Sequence, residues 1–236
     1  MNILVYSPNF VFKKYIQMCL EYDGENDVTF HQRGKTDTAI IDLINFKETQ
    51  KLFYLIEDKK IERIVFLVSG SDLYLNTNCK LPFSVYEVFE PINERARKII
   101  EIENRLKDSN KKYAVFRVSE LYGPNVKYGL IYDLFHQKFV KVNDGYRDFL
   151  YEGDLISAID IVLNNDIIGK FDIASGIKTR IDTLLKLVKK YRKSNIIIEV
   201  DENRLDIEYK SDNFKYYKWE PLIQIETGLK TTKKFI

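Results

Sequence analysis

The sequence runs Ile64-Val-Phe-Leu-Val68 and then Ser69-Gly70-Ser71, and this stretch gives the clearest indication of the fold. Five consecutive apolar residues without polar alternation are typical of a strand that is buried on both faces of a sheet. The Ser-Gly-Ser sequence that follows is typical of a turn, so we expect the chain to turn away from the sheet there. A strand of this kind predicts a parallel sheet covered by helices on both sides.

Strand-like and helix-like segments alternate on both sides of this stretch. Their spacing predicts strands at 2–6, 27–31, 38–43 and 113–118, and helices at 10–22, 46–58 and 92–108. Strands that alternate with helices of this length indicate βαβ units, and therefore an α/β fold with a Rossmann-like, doubly wound parallel sheet. The later pattern is less regular, with helices expected at 128–137, 152–164 and 180–192 and a strand at 196–200.

The composition excludes several classes of function. The 236 residues include 37 Lys+Arg and 35 Asp+Glu, and this balance provides no strong attraction to nucleic acid or to an anionic membrane. No apolar run approaches the roughly 18–20 residues that span a bilayer, and the N-terminus lacks a signal-peptide pattern. Two cysteines and two histidines are too few and too scattered for a disulfide framework or a zinc site. We therefore expect a soluble, cytoplasmic protein without a metal.

Short motifs in the second half carry a family resemblance. The segment Arg117-Val-Ser-Glu-Leu-Tyr-Gly-Pro124 is similar to R-x-x-N-V-Y-G-P, and Tyr146-Arg-Asp-Phe-Leu-Tyr151 with Asp154 is similar to R-D-F-[IV]-Y-V-x-D. Further matches lie at 80–84, 171–176, 218–221 and 226–229. On these motifs the chain resembles the extended short-chain dehydrogenase/reductase family, the NAD-dependent nucleotide-sugar epimerases and dehydratases. The resemblance implies a Rossmann-like domain over 1–124, and over 125–236 a mixed segment that completes the sheet and forms a small substrate-type lobe.

The first half departs from the family where the cofactor would bind. Relatives carry G-x-x-G-x-x-G after the first strand, because glycines let the backbone approach the pyrophosphate. Here Ser7, Asn9 and Phe12 stand at those positions, and the first glycine is Gly24. Asp42 aligns with the acidic residue near adenine, although without the glycine loop a strand-end cap is the simpler interpretation. The remaining cofactor-binding candidates are Ser7, Asn9, Phe10 and Asp42.

The catalytic residues of the family are missing as well. Relatives use Tyr-x-x-x-Lys, and none of the sixteen tyrosines here has a lysine four residues later. The alignment places Phe89 at the tyrosine, Asn93 at the lysine and Gly70 at the catalytic Ser/Thr. A phenylalanine ring has no exchangeable proton, so the family chemistry is not expected at this position. If the protein is an active enzyme, the alternative proton donors are Ser71, Tyr74 and Tyr86.

Three residues of the second half are candidates for substrate binding. The resemblance implies that Arg147 grips the diphosphate of a nucleotide sugar, and the alternative is a structural ion pair with Asp148 or Asp154. Tyr122 is more simply a structural turn residue beside the substrate cleft. Glu120 replaces the asparagine that contacts substrate in relatives, and a solvated carboxylate is the favoured interpretation.

These observations lead to three hypotheses. The first is an epimerase/dehydratase-like protein of surface-polysaccharide metabolism that has lost NAD(P) binding and redox catalysis. Such a protein binds a nucleotide sugar, or acts as the non-catalytic partner of an active paralogue. The second is an active NAD- or NADP-dependent enzyme with an atypical cofactor loop. The third is a structural module that forms a homodimer through the helix at 92–108. The chain is also shorter than its relatives, and we expect the missing stretch between Asp42 and Ser69.

Overall fold

The computed structural model of the protein describes residues 2–7, 10–22, 29–30, 37–44, 50–75, 79–87, 90–192, 195–210 and 214–235. The strands are β1 (Asn2–Tyr6), β2 (Thr29–Phe30), β3 (Thr38–Asp42), β4 (Arg63–Ser69), β5 (Lys112–Val118), β6 (Glu120–Tyr122), β7 (Phe139–Asn143), β8 (Tyr146–Tyr151), β9 (Gly169–Ile173), β10 (Lys178–Arg180) and β11 (Ile197–Asp201). The helices are α1 (Phe10–Tyr22), α2 (Gln50–Glu57), α3 (Gly70–Tyr74), α4 (Glu94–Asp108), α5 (Gly129–His136), α6 (Glu152–Asn164), α7 (Ile181–Tyr191) and α8 (Ile225–Thr232).

The main sheet is parallel throughout and confirms the predicted fold class. Its strands lie in the order β2-β1-β3-β4-β5-β9. Neighbouring residues of β3 enter opposite cores: Ile40 packs with α1 and α6, whereas Ala39 and Ile41 pack with α2 and α4. Because both faces of the sheet are covered, its central strands consist of continuous apolar residues rather than alternating ones.

A smaller lobe lies at the carboxyl edge of this sheet. It contains the three-stranded sheet β10-β8-β6 and the pair β11-β7. Its core includes residues of α5, α7 and α8. The second half also supplies β9 and α6 to the main sheet and its helical layer. The division at residue 124 stays a prediction.

The expected turn after β4 is instead the start of a helix. The chain enters α3 directly at Gly70, and the Ser69 hydroxyl caps it by accepting a hydrogen bond from the Asp72 amide at 3.1 Å. Serine is favoured both in turns and at helix N-caps, and the sequence pattern alone did not separate the two. Asn93 has the same role for α4, where its side chain accepts from the Ala96 amide at 2.9 Å.

The order of the strands also corrects the expected position of the stretch that this chain lacks relative to its relatives. In a doubly wound sheet the order 3-2-1-4 places two strands on one side of β1, and the acidic residue near the ribose ends the first βαβ unit. Among the described residues only β2 lies on that side, and β3 follows on the other side of β1. The missing strand therefore belongs before β3, not between Asp42 and Ser69. Asp42 ends β3, on the side of β1 away from β2, and its alignment with the acidic residue near adenine stays a prediction.

Candidate functional site

A cleft lies between the carboxyl edge of the main sheet and the smaller lobe. Its volume is about 400 Å³. The polar side chains that line it include Ser71, Asp72, Glu120, Lys141 and Arg147. Ligands of open α/β sheets bind outside the carboxyl ends of the strands, and this volume is within the range of small-molecule sites. This cleft is the candidate site.

Arg147 lies in the wall of the cleft on β8, and its partner is a residue that the sequence analysis did not pair with it. Its Nε is 3.2 Å from the Glu120 carboxylate, and its Nη1 donates to the backbone carbonyls of Tyr146 and Leu205. Only 4% of Arg147 is exposed. The guanidinium is thus held in place by neighbouring strands and by the 205–207 segment that lines the same cleft.

The two aspartates proposed as partners of Arg147 have other roles. Asp148 accepts hydrogen bonds from the backbone amides of 175–176, both at 2.8 Å. Asp154 accepts from the amides of 222–223 at 3.0 and 3.2 Å. Each carboxylate therefore fixes a loop to the body of the protein, and the expected pairing with Arg147 is replaced by the pairing with Glu120.

Glu120 is not the solvated carboxylate that the sequence suggested. Only 21% of its side chain is exposed. Burial raises the pKa of Glu120 to about 7, with Asp148 and Asp72 adding to the rise and Arg147 opposing it. A carboxyl group with such a pKa changes its charge near neutral pH inside a cleft that also contains a guanidinium.

The position aligned with the catalytic Ser/Thr is filled by an aromatic ring. A Cβ atom on Gly70 would lie 2.8 Å from both Cε1 and the hydroxyl oxygen of Tyr209. Tyr209 is itself buried, packs edge-on against Tyr74 and Phe83, and has a hydroxyl without a hydrogen-bond partner among the described residues. Tyr209 is not recognisable from the sequence, because nothing local to it signals a contact with Gly70.

The alternative proton donors are scattered by the structure. Ser71 lines the cleft, with its hydroxyl 3.1 Å from that of Ser69. Tyr74 is in the core, where its hydroxyl donates to Asp172 at 2.6 Å. Tyr86 is 75% exposed and outside the cleft lining. Of these three residues, only Ser71 is therefore placed to contact a ligand bound in the cleft. Phe89, which the alignment places at the catalytic tyrosine, lies outside the described residues.

Tyr122 lies in the core of the smaller lobe rather than in the cleft. It is 2% exposed, and its ring packs edge-on against Phe149 and Tyr151. Gly228 of α8 approaches the ring so closely that a Cβ there would overlap with the Tyr122 hydroxyl oxygen. The favoured interpretation of Tyr122 as a structural residue agrees with this packing.

The carboxyl ends of β1 and β3 carry the remaining candidates for cofactor binding. The Ser7 hydroxyl donates to the Asp42 carboxylate at 2.6 Å, and the Ile44 amide donates to it at 3.0 Å. Asp42 is 1% exposed, and burial raises its pKa. Phe12, at the position of the third glycine, is fully buried between α1 and the sheet. Asn9 and the side chain of Phe10 lie outside the described part of the chain.

Another buried carboxylate, that of Glu152, lies at the start of α6. Glu152 is 1% exposed and accepts hydrogen bonds from the backbone amide and the side-chain amide of Asn125 at 3.0 and 2.8 Å. Burial raises the pKa of Glu152 from its ordinary value near 4.5 to about 7. Between these two values the folded protein holds a proton that the unfolded chain has released. The stabilisation from this proton is complete below the lower value and is lost as the pH rises through the upper one.

We expect Glu152→Gln to weaken the pH dependence of stability. Each such group lowers the free energy of unfolding by up to about 1.4 kcal/mol per pH unit as the pH rises toward 7, and glutamine does not titrate. Urea unfolding at pH 5.5 and pH 8 should show a smaller loss of stability in the variant than in the wild type. The exposed Glu226, whose pKa is lowered by Lys190, provides the control Glu226→Gln. An unchanged pH dependence in Glu152→Gln would contradict the assignment.

The described part of the chain contains neither a membrane-spanning helix nor a cluster of metal ligands. No described helix has the length and apolar character needed to cross a membrane. Likewise, the described histidine, cysteine, aspartate and glutamate side chains include no group of three placed to hold a metal ion.

Comparisons with known proteins identify the fold. No family model and no curated protein matches the sequence. Among solved structures, the UDP-glucose 4-epimerase of Thermotoga maritima with UDP-glucose is similar to this chain, with a TM-score of 0.80 and 17% identity over 100% of this chain and 98% of that one. The UDP-N-acetylglucosamine 4-epimerase of Methanobrevibacter ruminantium with UDP-N-acetylmuramic acid has a TM-score of 0.80 and 17% identity over 99% and 97% of the two chains.

A third similar structure contains a cofactor. The UDP-glucuronic acid 4-epimerase of Bacillus cereus in complex with NAD has a TM-score of 0.77 and 13% identity, over 100% of this chain and 96% of that one. The chain therefore has the Rossmann-like fold of the NAD-dependent nucleotide-sugar epimerases and dehydratases, as its motifs predicted. Function is determined by the residues of the site rather than by the fold, and these residues lie in the cleft.

Proposed function

We propose that the protein binds a nucleotide sugar in the cleft between the two lobes and carries out no hydride transfer. The observation that carries the proposal is the buried guanidinium of Arg147 in the cleft wall, at the carboxyl edge of a sheet shared with nucleotide-sugar epimerases. A guanidinium forms paired hydrogen bonds to phosphate oxygens, which makes it well suited to a sugar-linked diphosphate.

The residues at the ends of β1 and β3 do not fit a dinucleotide. A pyrophosphate needs close backbone approach and donors that face it. Phe12 fills the space that a glycine would leave open between α1 and the sheet, and the carboxylate of Asp42 would repel a phosphate nearby. The Ser7 hydroxyl is already engaged with Asp42. We therefore infer that the protein uses neither NAD nor NADP.

The filled catalytic position supports the absence of redox chemistry. The ring of Tyr209 occupies the space beside Gly70 that a serine or threonine side chain would require. Tyr74 is engaged in the core, and Tyr86 is exposed and outside the cleft lining. Of the three alternative proton donors, Ser71 is the one in the cleft lining, and no family motif supplies it with a tyrosine or a lysine.

Binding of UDP-glucose to the wild type and to Arg147→Ala tests this function. We expect calorimetry to show binding to the wild type, and a loss of about tenfold to hundredfold in the variant, because hydrogen bonds from a charged donor are removed. Lys190→Ala, which removes an exposed ion pair with Glu226, is the matched control and should bind like the wild type. Absence of UDP-sugar binding to the wild type would overturn the proposal.

A parallel titration with NADH and NADPH distinguishes the active-enzyme hypothesis. We expect no binding of either dinucleotide, and no dinucleotide released when the purified protein is denatured. Binding in the micromolar range would overturn the loss of the cofactor and would make Ser71 the first residue to replace. A role in surface-polysaccharide metabolism, beside an active paralogue, follows from the family resemblance and is part of the same proposal.

The hypothesis of a homodimer through α4 receives no support from the surface of that helix. Its outward residues are charged, with ion pairs between Glu94 and Lys98 and between Glu101 and Arg105. A face of this kind is typical of a solvated helix, whereas the centre of a dimer interface is depleted in charge. Sedimentation of the purified protein measures its oligomeric state directly.

A further inference from the structure

The cationic side chains that line the cleft are already paired with carboxylates. Arg147 pairs with Glu120 at 3.2 Å, and Lys141 pairs with Glu199 at 3.0 Å and with Asp201 at 3.5 Å. Lys141 is about half exposed, so water can replace its partners easily. The Arg147–Glu120 pair is different, because it is mostly buried and its two members lie on the adjacent strands β8 and β6.

We propose that Glu120 controls ligand binding in the cleft, because it competes with an anionic ligand for the guanidinium of Arg147 and makes binding of that ligand proton-coupled. This inference rests on the proposed binding of a nucleotide sugar. When Glu120 carries a charge, it occupies Arg147 and adds a negative charge to the cleft. When Glu120 takes up a proton from solvent, the guanidinium becomes available to a phosphate and the repulsion disappears.

The surroundings of Glu120 favour such an exchange. Asp72 of α3 faces the same cleft, with its own carboxylate paired to Arg95 at 2.6 Å. Asp148 of β8 raises the pKa of Glu120, and its carboxylate is held by the amides of 175–176. Tyr209 packs on this side as well, with a buried hydroxyl. Arg147 is therefore the one cation that stabilises the charged form of Glu120 among these neighbours.

Further carboxylates act on Arg147 from outside the cleft. Asp206 and Asp144 favour its charged form, and Asp206 is itself paired with Arg204 at 2.7 Å. Because Arg147 also donates to two backbone carbonyls, its guanidinium stays in place when Glu120 becomes neutral. Protonation thus frees the cation without removing the contacts that position it.

The expected size of the coupling follows from the pKa of Glu120, which is about 7. A group with this pKa is protonated in about one-tenth of the molecules at pH 8 and in about nine-tenths at pH 6. A ligand that binds only the protonated form therefore binds about tenfold more tightly at pH 6 than at pH 8. At pH 8 its binding takes up close to one proton.

The test is calorimetry with UDP-glucose, whose phosphates keep their charge between pH 6 and pH 8. In the wild type we expect about tenfold tighter binding at pH 6, and at pH 8 a proton uptake measured from two buffers of different ionisation enthalpy. Glu120→Gln should bind about tenfold more tightly than the wild type at pH 8, without pH dependence or proton uptake. Glu226→Gln, at an exposed ion pair, should behave like the wild type.

The possible results separate this inference from the function on which it rests. Binding of UDP-glucose without pH dependence or proton uptake in the wild type overturns the role of Glu120 and leaves the proposed function intact. Equal proton uptake in the wild type and in Glu120→Gln assigns the proton elsewhere and also overturns it. No binding at either pH, in either protein, overturns the proposed function together with the inference. The wild-type measurement needs no variant, so a misfolded Glu120→Gln would not prevent the test.

Discussion

Replacing Arg117 with methionine is expected to lower the free energy of unfolding by about 3–5 kcal/mol. Arg117 is 2% exposed on β5, and its guanidinium donates to both carboxylate oxygens of Glu103 at 2.9 and 2.7 Å. It also donates to the hydroxyl of Tyr74 at 3.0 Å. The variant leaves the Glu103 carboxylate buried, with Lys170 at 3.2 Å as its remaining cationic partner. A buried charge that loses its main partner is strongly destabilising.

Urea unfolding measures this effect, and two further variants make it interpretable. Arg105→Met removes an exposed ion pair with Glu101 and should change stability by less than about 1 kcal/mol. The double variant Arg117→Met/Glu103→Leu removes both charges of the pair and should recover much of the loss, because Glu103 no longer leaves a buried carboxylate without its main partner. A loss in Arg117→Met no larger than that in Arg105→Met would show that the buried pair does not stabilise the fold. The expected large loss would instead give a structural role to Arg117, the residue that opens the motif at 117–124.

Gly70→Ser is expected to destabilise the protein by about 1–3 kcal/mol and to create no epimerase activity. The serine would place a hydroxyl at the position that the sequence alignment assigns to the catalytic Ser/Thr. Its Cβ, however, would lie 2.8 Å from the ring of Tyr209, which is packed against Tyr74 and Phe83 and cannot shift freely. Overpacking of this kind forces side chains away from their preferred rotamers.

A double-mutant cycle with Tyr209 tests the contact itself. In a Tyr209→Ala background, which opens space beside residue 70, Gly70→Ser should cost clearly less than in the wild type. Thermal unfolding of the four proteins gives the coupling between the two positions. Equal costs in both backgrounds would mean that Tyr209 does not limit residue 70. The absence of activity is tested by an epimerase assay with NAD and UDP-glucose. Activity of Gly70→Ser in this assay would contradict the prediction that the variant is inactive.

Local pattern was sufficient to predict much of the main sheet. The strands β1, β4 and β5 lie where continuous apolar runs predicted them, and α1, α4 and α6 end within two residues of the predicted bounds. These elements are long, and their hydrophobic periodicity follows directly from burial on one face or on both. The strands β6, β7, β8, β9 and β10 were missed. The strands β6 and β10 have only three residues each, and β7 and β10 alternate buried and exposed residues. The strand β8 carries Arg147 and Asp148 among its buried residues, so no continuous apolar run marks it.

The sequence by itself determined the α/β alternation, the absence of a glycine-rich loop and the loss of the Tyr-x-x-x-Lys pair. These properties depend only on residue type and on spacing along the chain. Only the tertiary structure decided that Glu120 is the partner of Arg147, that Tyr209 fills the space beside Gly70, and that Asp42 ends the strand on the other side of β1 from β2. The reason is physical: which strand ends become neighbours depends on the order of strands in the sheets, and this order is set by packing between segments that are distant in the sequence.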